Sequence, residues 1–191
     1  MSPAIWLIAE DETDCDVIQR ILNKKGFKVV IRRVQLSGAS GGISRLATQL
    51  PRLIKVVRNN KYWHDGDCIV VLHDRDAHLL GRHNAEYNMI AAVCKKENAI
   101  HLLADDTIES WLLADNGICQ FLGIKPSTWD GKPGAKIRIE SLLGTKHMQY
   151  QAQGREKLIE KLDGTGDMRS PSMRESMKKL IDAECIAMEP Q

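Results

Sequence analysis

The sequence predicts an α/β fold: a mostly parallel sheet flanked by helices, with a helical extension at the carboxyl end. Two observations predict the sheet. Apolar runs of strand length alternate with helix-periodic segments as far as Asp115, and three of those runs end abruptly in acid. A third observation predicts the extension, because beyond Asp115 helical patterns continue while strand signals stop. The expected division is a core over residues 1–116 and a helical part over 117–191 packed on it.

Residues 4–9 (Ala-Ile-Trp-Leu-Ile-Ala) read as a buried strand. Val17, Ile18, Ile21 and Leu22 then recur at helical spacing, giving a helix over 13–25 that Gly26 stops. Residues 28–36 are β-branched and read as a second strand, followed by a loop over 37–42, Ser-Gly-Ala-Ser-Gly-Gly. Leu46, Leu50, Leu53, Ile54 and Val57 place one apolar face on the next helix, which Pro51 is expected to kink or divide. Strand 68–73, helix 84–98, strand 99–104 and helix 107–115 complete the alternation. Asn116-Gly117 is expected to break the last of these into a short turn running to Gly123. Three more helical patterns lie near 135–143, 155–163 and 171–188, the last opened by Ser170-Pro171 or by the capping box Ser172-Met173-Arg174-Glu175.

The bulk composition is that of an ordinary globular protein, with 43% hydrophobic and 27% charged residues in a chain of 191. The amino terminus has no basic region ahead of its apolar run, and no stretch is long enough to span a bilayer. Five cysteines at 15, 68, 94, 119 and 185, with no C-x-x-C pair, read as reduced core thiols and point to a cytoplasmic protein without a membrane partner.

The acids that end the strands carry the chemistry. They are Glu10-Asp11-Glu12-Thr13-Asp14, Asp74-Arg75-Asp76, and Asp105-Asp106-Thr107-Ile108-Glu109. In an open parallel sheet the functional groups gather at the carboxyl edge, so these clusters can converge. Converging carboxylates repel unless a cation lies between them, and hard oxygen donors suit Mg²⁺ or Mn²⁺ rather than zinc. The metal-ligand candidates are Glu10, Asp14, Asp74, Asp76 and Glu109. Two cations held about 3.5–4 Å apart by such groups would activate water and stabilise the leaving oxygen of a phosphodiester.

The net charge of +2 conceals a segregated basic stretch. Residues 17–64 contain no Asp or Glu but eleven Lys and Arg side chains. Beside an acidic centre this layout suits a polyanion, with Arg45, Arg52, Lys55, Arg58 and the later Lys132 as phosphate contacts. A metal-dependent nuclease acting on nucleic acid, DNA ahead of RNA, is the function these charges favour.

Glu10 after an apolar strand, with Thr13 and Asp14 opening the following helix and Asp74-Arg75-Asp76 after a second apolar strand, resembles the TOPRIM fold of topoisomerases, primases and OLD-type nucleases. The stretch Ile108-Glu109-Ser110-Trp111-Leu112-Leu113-Ala114-Asp115 resembles the E-x-W-L-L-A-D segment of a group of short bacterial TOPRIM-like proteins, which tend to carry a lysine and then a tyrosine downstream. Here Lys132, Lys136 and Tyr150 occupy that region. The resemblance covers roughly residues 4–165 and implies Lys136 as a catalytic cation beside Glu10, Asp14, Asp74, Asp76 and Glu109. It also implies a role in bacterial defence or repair with a separate ATPase partner, since no P-loop occurs in the chain. Where such proteins usually have Gly after the first glutamate, this chain has Asp11.

Several residues have a second reading. Glu109 is equally a first-turn helix acid, Glu12 and Asp16 read as solvated helix acids, and Asp115 as a helix end. The histidines at 64, 73, 78, 83 and 101 lack ligand spacing, with only His78 near enough in sequence to Asp76 to meet substrate. Trp6, Trp63, Trp111 and Trp129 read as core or interface anchors. At the level of function, the alternatives are a non-catalytic nucleic-acid or partner-binding module on the same fold, or a phosphoacceptor receiver domain.

Overall fold

The structure, a computed structural model, describes residues 3–36, 42–75 and 80–183, with the side chains of 12, 13, 80–83 and 152 outside that description. Four strands, β1 (Ala4–Ala9), β2 (Val30–Val34), β3 (Cys68–Arg75) and β4 (Ile100–Asp105), pair in parallel throughout in the order β2-β1-β3-β4. Helices α1 (Glu12–Lys24), α2 (Ile43–Arg58) and α3 (Leu80–Lys96) connect them. The chain adopts the expected α/β class with a parallel, helix-flanked sheet.

Strand order explains which face each helix covers. From β1 the chain steps outward to β2, then crosses back past β1 to β3. Because parallel crossovers are right-handed, reversing direction along the sheet transfers the connecting helix to the opposite face. Accordingly Ile5, Leu7, Val70 and Leu72 pack with Ile18, Ile21 and Leu22 of α1, while Trp6, Ile8, Ile69 and Val71 pack with Leu46, Leu50, Ile54 and Ile90 of α2 and α3. The reversal leaves a crevice between the carboxyl ends of β1 and β3, the topological switch point where open α/β sheets hold ligands.

The carboxyl part comprises α4 (Ile108–Ala114), α5 (Asn116–Leu122), α6 (Ala135–Gly144), α7 (Arg155–Lys161) and α8 (Pro171–Ile181), with a π-helical turn over Tyr150–Gly154 leading into α7. Among the described residues no strand follows β4. Trp111, Ile118, Leu143, Leu158, Met173 and Leu180 from these helices join the α1 side of the core. The core is thus continuous across residue 116.

Three local expectations are corrected. Asn116-Gly117 opens a helix instead of a turn, because Asp115 ends α4 and caps α5 with its side chain, accepting from the Ile118 N–H at 3.1 Å. The same carboxylate accepts from the backbone of Asp163, Gly164 and Thr165 at 3.2, 2.9 and 3.0 Å, tying the loop after α7 to the α4–α5 joint. Pro51 lies inside α2, which runs undivided from Ile43 to Arg58 with the proline on its exposed side. Cys15, Cys94 and Cys119 are buried thiols as expected, but Cys68 is disulfide-bonded. No helix among the described residues is long and apolar enough to cross a membrane.

Gly117 is held by close packing rather than by turn geometry. A β-carbon there would stand 2.2 Å from the Lys161 carbonyl oxygen and 3.2 Å from Asp163 Cβ. Gly117→Ala should therefore cost about 1–3 kcal/mol and lower the melting temperature by roughly 3–10 °C, read by circular dichroism. An unchanged melt would show that α5 and α7 part freely.

Candidate functional site

Glu10 is the first residue beyond β1 and continues the alternation of Trp6 and Ile8 toward the α2 face. Its carboxylate reaches the start of α2, where a β-carbon on Gly42 would stand 3.7 Å from Glu10 Oε2. Asp74, near the end of β3, has the parity of Val70 and Leu72 and faces the α1 and α4 side. Its Oδ1 accepts from the Ile108 N–H at 2.9 Å, so β3 hands its last carboxylate to the first turn of α4. The two acids therefore sit at the switch point, one toward each face.

Two further acids come from the helices. Asp14, in the first turn of α1, is 5% exposed, and Glu109, in the first turn of α4, is 3% exposed. Every residue of α4 is buried, with the Trp111 indole N–H donating to Ser172 Oγ at 2.8 Å. Glu109 is thus no solvated first-turn acid. Its Oε1 accepts a hydrogen bond from the Tyr150 hydroxyl.

These side chains feel one another strongly. Burial raises the Asp74 pKa well above the carboxylate range, and the negative charges of Asp14, Glu109 and Glu10 raise it further. Asp14 is pushed up to about 7 by burial, against the pull of Arg155 and with added repulsion from Asp11, Glu109 and Glu10. Four carboxylates, from the residue after β1 and from α1, β3 and α4, have been brought into one electrostatic neighbourhood.

The countercharge comes from the helical part. Arg155, the first residue of α7, donates to Asp11 Oδ2 at 2.7 Å and to Asp14 Oδ1 at 3.3 Å. Its guanidinium lies 5.4 Å from the centre of the Tyr150 ring, and the Lys136 ammonium lies 5.9 Å from the same ring. Lys136, Arg155 and Tyr150 line a cleft of about 760 Å³ together with Asp11. Asp11 is accordingly an ion-pair partner at the cleft. Tyr150 had a signal in the sequence only through the family resemblance. Arg155 had none, since a single arginine ahead of an apolar helical pattern is commonplace.

Other candidates fall elsewhere. Asp76 and His78 lie outside the described residues. Asp105 lines a separate cavity of about 310 Å³ with Arg75 and His101. Asp106 is buried in the left-handed region (φ 80°), which turns the chain from β4 into α4. Lys132 donates to the Thr128 carbonyl at 2.9 Å, a local loop contact. His73 and His101 bridge β3 and β4 through their Nε2 atoms at 2.8 Å. His73 Nδ1 lies 2.9 Å from the Asp74 carbonyl oxygen, which can only accept, so His73 donates there and accepts from His101.

The basic stretch is less free than its composition suggests. Lys25 pairs with Asp167, Arg33 with Asp16 and Arg58 with Glu97, so acids from outside the stretch are recruited to it. Arg20 donates to the Glu160 carbonyl, and Arg32 lies over the rings of Trp6 and Tyr62. Arg52 and Lys55 are exposed on α2, while Arg45 lines a small cavity with Glu10.

For a metal, the donors fit in kind, being hard carboxylate oxygens with excess negative charge. Among the described residues, however, no three His, Cys, Asp or Glu side chains are drawn together closely enough to hold one ion. Asp14, Asp74 and Glu109 each accept instead from a protein donor, namely Arg155, the Ile108 N–H and Tyr150. The chain matches no protein-family model, no curated protein and no solved structure.

Proposed function

We propose that this chain is a divalent-metal-dependent nuclease of TOPRIM-like type, hydrolysing phosphodiesters of nucleic acid with Mg²⁺ or Mn²⁺. The observation that carries this reading is the gathering of Glu10, Asp14, Asp74 and Glu109 at the switch point, where each of the other three raises the proton affinity of Asp74. Like charges gathered away from water cost stability unless cations relieve them; Arg155 pairs with Asp14 of this set, and a divalent cation would relieve the repulsion that remains on Asp74. Asp76 would join the set from the segment that follows β3.

A bound divalent cation would supply Lewis-acid charge and a water of lowered pKa. The protein's own contributions follow from the geometry. Asp14 and Asp74 act as ligands only when ionised, and Tyr150 fixes the carboxylate of Glu109. Lys136 and Arg155 place positive charge at the cleft, where a phosphate approaching the carboxylates would need it. Arg52 and Lys55 offer exposed cations for the nucleic-acid backbone. Nucleotide-driven gating, as in OLD-type systems, would fall to an ATPase partner.

Calorimetry with Mn²⁺ near pH 8, paired with cleavage of labelled DNA, tests the proposal. Wild type should bind the ion and cleave. Asp74→Asn keeps the acceptor for the Ile108 N–H yet should lose the binding heat and at least ~100-fold in cleavage. Unchanged Mn²⁺ binding in both Asp74→Asn and Asp14→Asn would overturn it. DNA binding without metal dependence or cleavage would favour the non-catalytic module.

A further inference from the structure

The cleft beside the carboxylates has walls of unusual chemistry. One wall is a single face of α1, where Gln19 and Asn23 stand one turn apart, and the other carries Gln151, Tyr150 and Arg155, with Lys136 contributed by α6. Three side-chain amides therefore line a space of about 760 Å³, and two other lining residues, Tyr150 and Arg155, reach from it to Glu109 and Asp14 of the proposed reaction centre. An amide presents a donor and an acceptor in one plane, the pairing that matches the edge of a nucleobase.

The charges argue for a short occupant rather than a run of phosphates. Arg155 is engaged by Asp11 and Asp14, and the lining Asp16 is engaged by Arg33. The remaining lining cations, Lys136 and Arg20, are offset in part by Glu156. A nearly balanced cleft holds little attraction for a long polyanion, yet Lys136, 5.9 Å from the ring of the tyrosine that holds Glu109, can meet one phosphate. Its volume falls in the range of pockets that enclose a nucleotide-sized ligand. Bases within a duplex are stacked and paired, so only an unpaired nucleotide can present its edge inside such a concave site.

We propose that this cleft receives an unpaired nucleotide of a single-stranded nucleic acid, read at its base edge by Gln19, Asn23 and Gln151, next to the phosphate to be cut. The inference rests on the nuclease reading for the position of that phosphate, but the binding step stands apart from catalysis.

The test measures fluorescence anisotropy of a labelled short oligodeoxynucleotide, single-stranded or as a duplex, with full-length protein in EDTA. Wild type should bind the single strand more tightly than the duplex. The double variant Gln19→Leu, Asn23→Leu and the separate variant Gln151→Leu should each weaken single-strand binding about tenfold with unchanged duplex binding and melting temperature. No single-strand binding by wild type, or equal affinity for duplex, would overturn the proposal, as would wild-type affinity in both variants. Cleavage by wild type in Mn²⁺, assayed on the same strands, separates the two readings. Amide-dependent binding without cleavage would remove the nuclease and keep the cleft, whereas cleavage with amide-independent binding would do the reverse.

Discussion

In chelator, the protein should lose thermal stability as the pH rises from about 6.5 to 8, and Mn²⁺ should restore it. Asp14 holds its proton up to about 7 in the fold against an ordinary value of 3.8, and Asp74 is raised in the same direction. Across that interval the unfolded chain has already released these protons while the folded chain must give them up. Stability is then fully present at low pH and declines as the pH passes through the folded values. The bridged pair His73 and His101, both lowered, works oppositely but only below about 6.5. Asp67 and Glu175 are lowered and titrate below the window. Asp115, raised to about 6, contributes in the same direction as Asp14 but is common to every variant compared.

The wild-type melting temperature should fall by roughly 5 °C over the window. The Asp14→Asn, Asp74→Asn double variant should be nearly flat and indifferent to Mn²⁺. Differential scanning calorimetry reads both. A wild-type curve as flat as that of the double variant would show that the carboxylates do not share a field.

The second large effect concerns Glu109. Glu109→Gln preserves size and an acceptor for the Tyr150 hydroxyl, so the melting temperature should hold while metal-dependent cleavage falls about 100-fold or more. A first-turn acid acting on the helix dipole would give the opposite pattern, a loss of about 0.3–1 kcal/mol with activity intact. Burial at 3% exposure favours the first outcome. Tyr150→Phe separates positioning from ligation. It leaves Glu109 buried without its hydroxyl partner, and should cost about 1–3 kcal/mol of stability and about 10–100-fold in Mn²⁺ affinity. Wild-type affinity in that variant would release Tyr150 from the site.

The strands were legible because three are apolar runs ending in acid and the fourth, β2, is β-branched, and the places of Glu10, Asp14, Asp74 and Glu109 were legible because strand ends and helix starts are fixed by the same pattern. Burial of Glu109 was not, since it depends on α4 being covered on all sides by segments distant in sequence. The helix after Asn116-Gly117 was hidden because that dipeptide signals a turn locally, while the close approach of Lys161 that favours glycine there is a long-range fact. The basic stretch misled in part for the same reason. Asp16, Glu97 and Asp167, which neutralise three of its members, all lie outside it in sequence.

The position of Arg155 bears on how this chain could ever be shortened. Its guanidinium reaches back from α7 to acids at the start of α1, and Tyr150 just before it holds an acid of α4. A cut at residue 116, which leaves the whole sheet intact, would leave Asp11 and the buried Asp14 without their arginine and the buried Glu109 without its tyrosine. The smallest fragment able to keep the acids in place runs at least from Ala4 to Arg155, and the helical part is an inseparable half of the site's charge balance.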